Sequence, residues 1–219
     1  GANMTPAERH RQRMAAKVEA EKNADPANSQ NHTAYERQLV LLAEHKRMLK
    51  GIQSIEKKIE LKKQLIPEYQ SYLKGILEAD KGGADEVVTT LLLWCIDAGE
   101  YYAALSLASY CLRHKLPTPD AHQRTMGTVI AEEFADYSLK GVDEITLDML
   151  EEVRSLTAEQ DMPDQVRAKL HKAIGYLLRD TNKPAALEEL KRALELNTAA
   201  GVKKDIEKLE REIKAAASQ

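Results

Sequence analysis

Two short pieces of the sequence resemble the halves of a catalytic motif. The Pro-Asp pair at 163–164 and Glu189-Leu190-Lys191 imitate metal-dependent nucleases, in which two carboxylates hold Mg²⁺ and a lysine assists the attacking water. That motif needs neighbouring β-strands, because converging strands bring its side chains together. Here both pieces lie in predicted helices, and Glu-x-Lys triplets recur at Glu60 and Glu212. We therefore predict no catalytic residues in this pattern.

Other residue types that could support chemistry show no useful spacing. The six histidines include no HExxH, Cys95 and Cys111 lack metal-ligand spacing, and the glycines are scattered rather than grouped in a phosphate-binding loop. No local signature indicates a Ser/His/Asp or Cys/His set. The acidic residues at 132–136 and 148–152 could bind a divalent cation, although a solvated helix surface is the simpler interpretation. The sequence thus predicts no metal and no cofactor, and two reduced core thiols.

The charged segment MPDQVRAKLHKAIGYLLRD (162–180) is typical of an amphipathic helix. Its spacing predicts a buried face made of Val166, Leu170, Ala173, Ile174 and Leu177. Asp164, Arg167 and His171 share the opposite side. We interpret that side as an exposed charged face with a weak Asp164–Arg167 pair, or as a polar rim for a protein partner.

The elements that would position these residues are predicted to be helices throughout. Aromatic residues make up only 5% of the chain, while alanine, leucine, glutamate and lysine are abundant. No segment alternates with a period of two, so the predicted fold class is all-α. No apolar run is long enough to span a membrane, and no secretory signal is visible.

Charge is distributed unevenly along the chain. Residues 4–63 carry 13 Lys/Arg against 8 Asp/Glu, whereas residues 131–219 carry 14 against 19. The basic N-terminal region and the acidic C-terminal region suggest that the N-terminal part of the chain binds a polyanion. Ordinary variation among exposed helices is the alternative explanation.

Three regions follow from breaks in the pattern. Residues 1–33 comprise Gly-Ala-Asn before Met4, interpreted as an expression scar, a basic helix from Pro6 to Lys22 and a polar linker. Because that helix has few apolar residues, we expect it to pack weakly and to be mobile. Residues 34–80 form a long helical segment for oligomerisation and DNA contact. Residues 81–219 form a helical-hairpin domain.

The segment 34–80 carries an apolar stripe close to a heptad period. Pro67 divides it, and the part before Pro67 would make a rod of about 50 Å. Such a rod cannot bury its stripe alone, so we predict a coiled-coil-like contact with another helix or another subunit. The predicted oligomerisation residues are Leu39, Leu42, Leu49, Ile52, Ile59 and Ile66.

The region 81–219 contains helical stretches that resemble tetratricopeptide hairpins. Small residues at spaced positions in 101–114 and 184–197 let two helices approach closely. We predict helices over 85–98, 101–114, 120–139, 145–159, 162–180, 184–197 and 202–217.

Nucleic-acid binding has the best support among the functional interpretations. The window 44–63 holds 7 Lys/Arg against 3 Asp/Glu, and an oligomer would multiply the phosphate contacts. A solvated rod with coiled-coil charges is the competing interpretation, and no convincing helix-turn-helix sequence is present. The predicted DNA-binding residues are Arg9, Arg11, Arg13, Lys17, Lys46, Arg47, Lys50, Lys57, Lys58, Lys62 and Lys63.

Long blocks of the sequence, and no catalytic motif, resemble a known family. TPAERHRQRM, LLLWCIDAGEYYAALSLASYCL, MPDQVRAKLHKAIGYLLRD and AALEELKRALELNTAAGVKKDIEKLEREIK are similar to the small terminase subunit of contractile-tailed temperate phages. The resemblance implies a DNA-packaging protein of the host cytoplasm that forms a ring or another homo-oligomer. It also implies recognition of the packaging site on double-stranded viral DNA, and as partners the large terminase subunit and possibly the portal.

Three functions remain open at this point. The first is an oligomeric adaptor that binds DNA and recruits the large subunit, which carries the ATPase and in most systems the nuclease. The second is an endonuclease, since the family is often labelled the terminase endonuclease subunit. The third is a helical scaffold that binds protein partners. The resemblance assigns no site residues to this chain.

Overall fold

The computed structural model describes residues 4–25, 27, 31–119 and 123–219. These residues form eleven α-helices and one 3-10 helix, with no β-strand among them, which confirms the all-α prediction. The chain divides into two compact units, residues 1–123 and 124–219. The predicted linker and the start of the predicted helix 120–139 lie partly outside the described residues. The tetratricopeptide likeness stays a prediction.

Unit 1 contains six of the α-helices, and polar side chains fix several of their starts. Thr5, Ser54 and Asp85 each accept a hydrogen bond from the backbone N–H three residues later, which is the usual N-cap geometry. The helices are α1 (Pro6–Asn23), α2 (Thr33–Lys50), α3 (Ile55–Leu65), the 3-10 helix (Ile66–Tyr69), α4 (Gln70–Ala79), α5 (Glu86–Asp97) and α6 (Tyr101–Arg113).

Helix α1 packs closely on α4, so the weak packing predicted for it is wrong. Gly75 of α4 lies so near α1 that an added Cβ would stand 2.2 Å from the Arg13 carbonyl oxygen and 2.9 Å from the Ala16 Cβ. The buried Glu19 carboxylate also accepts hydrogen bonds from the backbone N–H groups of Ala34 and Tyr35, at 2.8 and 3.0 Å. A close backbone contact and a buried carboxylate thus replace the missing apolar side chains. The predicted mobility stays a prediction.

The single long rod predicted before Pro67 is also wrong. The chain leaves the helix after Lys50, turns through residues 51–54 and re-enters at Ile55. The apolar period continues across the turn because both helices bury residues in the same unit. Pro67 lies at the start of the 3-10 helix, so the proline changes the helix type over one turn without ending the helical path.

Much of the predicted oligomerisation stripe is buried within the subunit. Leu42, Leu49 and Ile66 belong to the core of unit 1, so they stabilise the subunit itself. Leu39, Ile52 and Ile59 are half-buried and keep some exposed apolar surface. Only these three residues of the stripe remain available to another subunit.

Unit 2 contains the remaining five α-helices. They are α7 (Met126–Leu139), α8 (Leu147–Thr157), α9 (Asp164–Leu178), α10 (Lys183–Leu196) and α11 (Lys203–Ala217). Close approach of α9 and α10 depends on Gly175, where an added Cβ would meet the Leu190 side chain at 2.6 Å. Leu190 continues into a buried cluster with Val202, Ile206 and Leu209.

Helix α9 confirms most of the buried face predicted for 162–180, since Val166, Leu170, Ala173 and Ile174 are buried while Leu177 is exposed. The charged side differs from the prediction. Arg167 donates hydrogen bonds to the carbonyls of Thr157 and Gln160, at 3.2 and 2.7 Å, instead of pairing with Asp164. Arg167 therefore binds the end of α8, where unpaired carbonyls attract a cation.

The two cysteines are free and buried, as predicted, and burial raises the pKa of both thiols to about 12. No helix among the described residues is long and apolar enough to cross a membrane.

Candidate nucleic-acid interface

The end of α2, the turn 51–54 and the start of α3 bring four cations together. Arg47 and Lys50 occupy the last turn of α2, and Lys57 and Lys58 follow the turn. We call these four residues the basic corner. The turn forms because the Gly51 N–H closes α2 on the Arg47 carbonyl, at 3.2 Å, and the Ser54 hydroxyl caps α3.

The basic corner faces solvent. Arg47, Lys50 and Lys57 are exposed and Lys58 is half-buried. None of the four forms an ion pair within the described parts of the chain, and Glu56 is the only acid in the sequence from 47 to 58. Unpaired, solvent-exposed cations are suited to phosphate groups, which attract lysine and arginine regardless of base sequence.

Two other predicted DNA-binding residues are engaged within unit 1. The Lys46 Nζ lies 2.7 Å from Glu86 Oε1, and the Lys62 Nζ lies 2.7 Å from Asp97 Oδ2. Both carboxylates belong to α5, so the two pairs tie α2 and α3 to the same helix. The Lys62 side chain is only 17% exposed. These lysines therefore position the helices and contribute little net positive charge.

The remaining predicted cations have mixed environments. Lys63 on α3 and Arg9 and Arg11 on α1 are exposed, and Lys17 is half-buried. Arg13 approaches the Nδ1 of His10 at 3.2 Å and the Glu78 carboxylate at 3.7 Å, so it joins α1 to α4. The exposed α1 cations can add phosphate contacts, whereas Arg13 holds the helix in place.

A buried polar contact fixes α2 to the rest of the unit. The Nδ1 of His45 shares a 2.6 Å hydrogen bond with the Tyr69 hydroxyl, and the Tyr69 ring meets the Trp94 ring edge-on at 5.9 Å. Burial, followed by the charges of Glu68 and Glu44, raises the pKa of Tyr69. The hydroxyl therefore stays neutral, and the contact joins α2, the 3-10 helix and α5.

Asp85 is an important residue that sequence reasoning missed. It is buried, caps α5 through the Val88 N–H at 3.1 Å, and accepts a 2.7 Å hydrogen bond from the Tyr72 hydroxyl. Burial raises the pKa of Asp85 to about 6, although both hydrogen bonds act to lower it. The N-cap signal in the sequence locates this residue, but burial depends on packing that the sequence pattern does not show.

The residues of the rejected nuclease pattern lie in unit 2. Asp164 is exposed at the start of α9, while the Glu189 carboxylate on α10 binds both Arg154 and His171. Burial opposes ionisation of Glu189, but hydrogen bonds from His171 and Arg154 prevail and lower its pKa. Across residues 4–25, 27, 31–119 and 123–219, no group of three His, Cys, Asp or Glu side chains could hold a metal ion.

The acidic residues at 132–136 are neutralised by cations of the same unit. Arg124 contacts Glu132 at 2.7 Å and Glu133 at 3.0 Å, and Lys169 contacts Glu132 and Asp136, both at 3.2 Å. This ion-pair network links α9 to α7. It provides a structural use for acids that the sequence left open as cation ligands.

Comparison with known proteins agrees with the resemblance seen in the sequence. A family model described as "Phage small terminase subunit" matches residues 39–165, which include the basic corner. The protein named "Terminase, endonuclease subunit" of Escherichia phage P2 is 42% identical over 214 residues, covering 96% of this chain and 86% of that protein. The comparison with solved structures finds no match.

Proposed function

Because this chain belongs to the phage small terminase family, we propose that it binds double-stranded viral DNA at the packaging site through the basic corner. Family membership supports a role in DNA packaging. The observation that carries the proposal is the unpaired state of Arg47, Lys50, Lys57 and Lys58 beside two lysines that are already neutralised. The proposal places this step in the host cytoplasm.

The number of free cations sets an expected salt dependence. Four phosphate contacts per subunit give a slope of about −3.6 for log affinity against log salt on duplex DNA. Several subunits bound to one DNA segment would add their slopes. Arg9, Arg11, Lys17 and Lys63 can raise the value further, whereas Lys46 and Lys62 contribute little while their carboxylate pairs persist.

Replacing the basic corner tests the proposal directly. We expect R47E/K50E/K57E/K58E to lose duplex binding, measured by fluorescence anisotropy across a salt series. The matched control K191E/K203E/K204E/K214E changes the net charge equally at four exposed lysines of unit 2, and it should keep most of the affinity. Equal loss in both variants would mean that total charge, and no particular surface, governs binding.

A second variant separates positioning lysines from binding lysines. K46Q/K62Q/E86Q/D97N removes the two pairs to α5 and leaves the net charge of the protein unchanged. We expect it to change duplex affinity about twofold or less, because those lysines release few counterions on binding. A loss as large as that of the corner variant would show that DNA displaces Glu86 and Asp97 from these lysines.

We further propose that the protein acts as a homo-oligomer, with a ring as the expected form, and recruits the large terminase subunit, with the portal as a further partner. The half-buried Leu39, Ile52 and Ile59 supply apolar surface for self-association. Light scattering measures the mass, and L39S/I52S/I59S should lower it. A monomer at micromolar concentration would contradict this part of the proposal.

Cleavage by this subunit is the second candidate function, favoured by the name of the phage P2 relative. The isolated protein would be incubated with Mg²⁺ and DNA that carries the cohesive-end site. Cleavage that is lost in Asp164→Ala would establish the nuclease pattern. Cleavage that persists in Asp164→Ala and Glu189→Gln would locate the activity at other residues, and absence of cleavage would favour the adaptor.

A further inference from the structure

Two large apolar side chains are exposed within the stretch of chain that forms the basic corner. Ile55, the first residue of α3, is 75% exposed, and Met48 in the last turn of α2 is 46% exposed. Ile55 and Lys58 are three residues apart on one helix, which places their Cβ atoms about 5–6 Å from each other. The basic corner therefore presents apolar surface beside its unpaired cations.

A surface that is both apolar and strongly cationic suits few partners. A second copy joined at the same surface would bring four cations against four, and like charges placed together oppose association. The proposed self-association uses Leu39, Ile52 and Ile59 instead. A lipid surface requires a broad apolar face along a helix, whereas Ile55 is the only exposed apolar residue of α3.

Duplex DNA offers both features that this surface needs. Its phosphates attract the cations, and its stacked bases provide apolar faces. Isoleucine is among the side chains that enter between base pairs as a wedge, and the cost of unstacking is offset by the contacts that the bent duplex permits. We propose that Ile55 inserts between two base pairs of the packaging-site duplex while the basic corner binds neighbouring phosphates. The inference rests on the proposed role of the basic corner in duplex binding.

Insertion of Ile55 gives the protein a way to select sequence without a helix-turn-helix. Phosphate contacts carry no sequence information directly. Pyrimidine–purine steps such as TA unstack most easily, so a wedge binds them in preference to stiffer steps. Selection by deformability is thereby added to the sequence-independent attraction of the four cations.

The test uses two duplexes of equal length and base composition that differ in one central step, TA or AA. The fluorescent base 2-aminopurine replaces the adenine of that step, and its emission rises when the base unstacks. We expect wild-type protein to bind the TA duplex about fivefold more tightly and to raise its emission. Ile55→Ala should lose both effects, while its salt slope stays unchanged because the four phosphate contacts remain.

Val40→Ala is the matched control. Val40 is 71% exposed on α2 and lies outside residues 47–58, so this change removes similar apolar surface away from the basic corner. It should keep the TA preference and the emission rise. Ile55→Leu retains an apolar wedge and should keep both as well. Trp94 fluorescence shows whether Ile55→Ala folds, and we expect wild-type stability because the replaced side chain is exposed.

Several outcomes would overturn the proposal. Duplex binding by wild-type protein without a rise in emission would refute the wedge and leave the proposed function intact, whereas absence of duplex binding would refute both. A rise that persists in Ile55→Ala would place the unstacking group elsewhere. A lower mass of Ile55→Ala in light scattering would assign Ile55 to a subunit interface. Binding to phosphatidylserine vesicles that Ile55→Ala loses, together with equal affinity for the two duplexes, would assign it to an anionic lipid surface.

Discussion

Gly75→Ala tests the close contact between α1 and α4. At an ordinary position inside a helix, replacing glycine by alanine stabilises by about 0.5–1 kcal/mol. At Gly75 the new Cβ would lie 2.2 Å from the Arg13 carbonyl oxygen, which is backbone and cannot rotate away. The helices must therefore separate, and overpacking of this kind costs about 1–3 kcal/mol.

The expected net effect is a destabilisation of about 1 kcal/mol, because the contact outweighs the helix propensity of alanine. For a unit of this size the loss corresponds to a fall in Tm of about 4 °C. Trp94 is the only tryptophan of the chain and lies in unit 1, so its fluorescence reports the unfolding of that unit alone.

Gly83→Ala provides the matched control. No atom lies within 4 Å of a Cβ at Gly83, so this variant should be neutral or slightly more stable. Gly75→Ala with the same Tm as Gly83→Ala, or a higher one, would refute the reasoning, since α1 would then be free to move away from α4 without cost. That result would also restore the mobile helix predicted from the sequence.

Two further predictions concern single side chains. Because burial raises the pKa of Asp85 to about 6, the ionised form opposes folding, and wild type should lose up to about 3 kcal/mol relative to Asp85→Asn as pH rises from about 4 to above 6. Trp94 unfolding curves at about pH 4 and about pH 8 capture most of this difference, and a constant difference would contradict the buried charge. Arg167→Ala should destabilise unit 2 by about 2 kcal/mol, because it leaves the Thr157 and Gln160 carbonyls without their charged donor. The control Arg192→Ala removes only an exposed pair with Glu195 and should cost about 0.5 kcal/mol or less in urea unfolding followed by circular dichroism, so equal losses would be evidence against the Arg167 contact.

Local signals in the sequence predicted most helix boundaries. Thr5 followed by Pro6 and Glu8 predicted α1, and the structure shows the cap that this pattern encodes. The turn at 51–54 was missed although Gly51 and Ser54 are both suited to a helix end. The apolar spacing ran across the turn, because two helices that bury residues in one unit can keep a common period.

The candidate interface was predictable only in part, because a count of charges along the sequence does not show which lysines form ion pairs with residues far away in the chain. Lys46 meets a carboxylate 40 residues further along the chain, and Lys62 meets one 35 residues further. The sequence treats these lysines and Lys57 alike, while the fold separates them into paired and free cations.

Glu86 and Asp97 compete with external anions for Lys46 and Lys62, because each carboxylate already occupies the ammonium group of its lysine. A stray polyanion such as RNA must compete with a tethered carboxylate at each of these lysines, whereas at the basic corner it competes only with water and mobile ions. Lys46 and Lys62 are thereby less available to such a polyanion than the four cations of the basic corner. If the corner binds DNA as we propose, tight association needs several corners on one backbone of regular spacing, which a long duplex offers and a short or irregular polyanion does not.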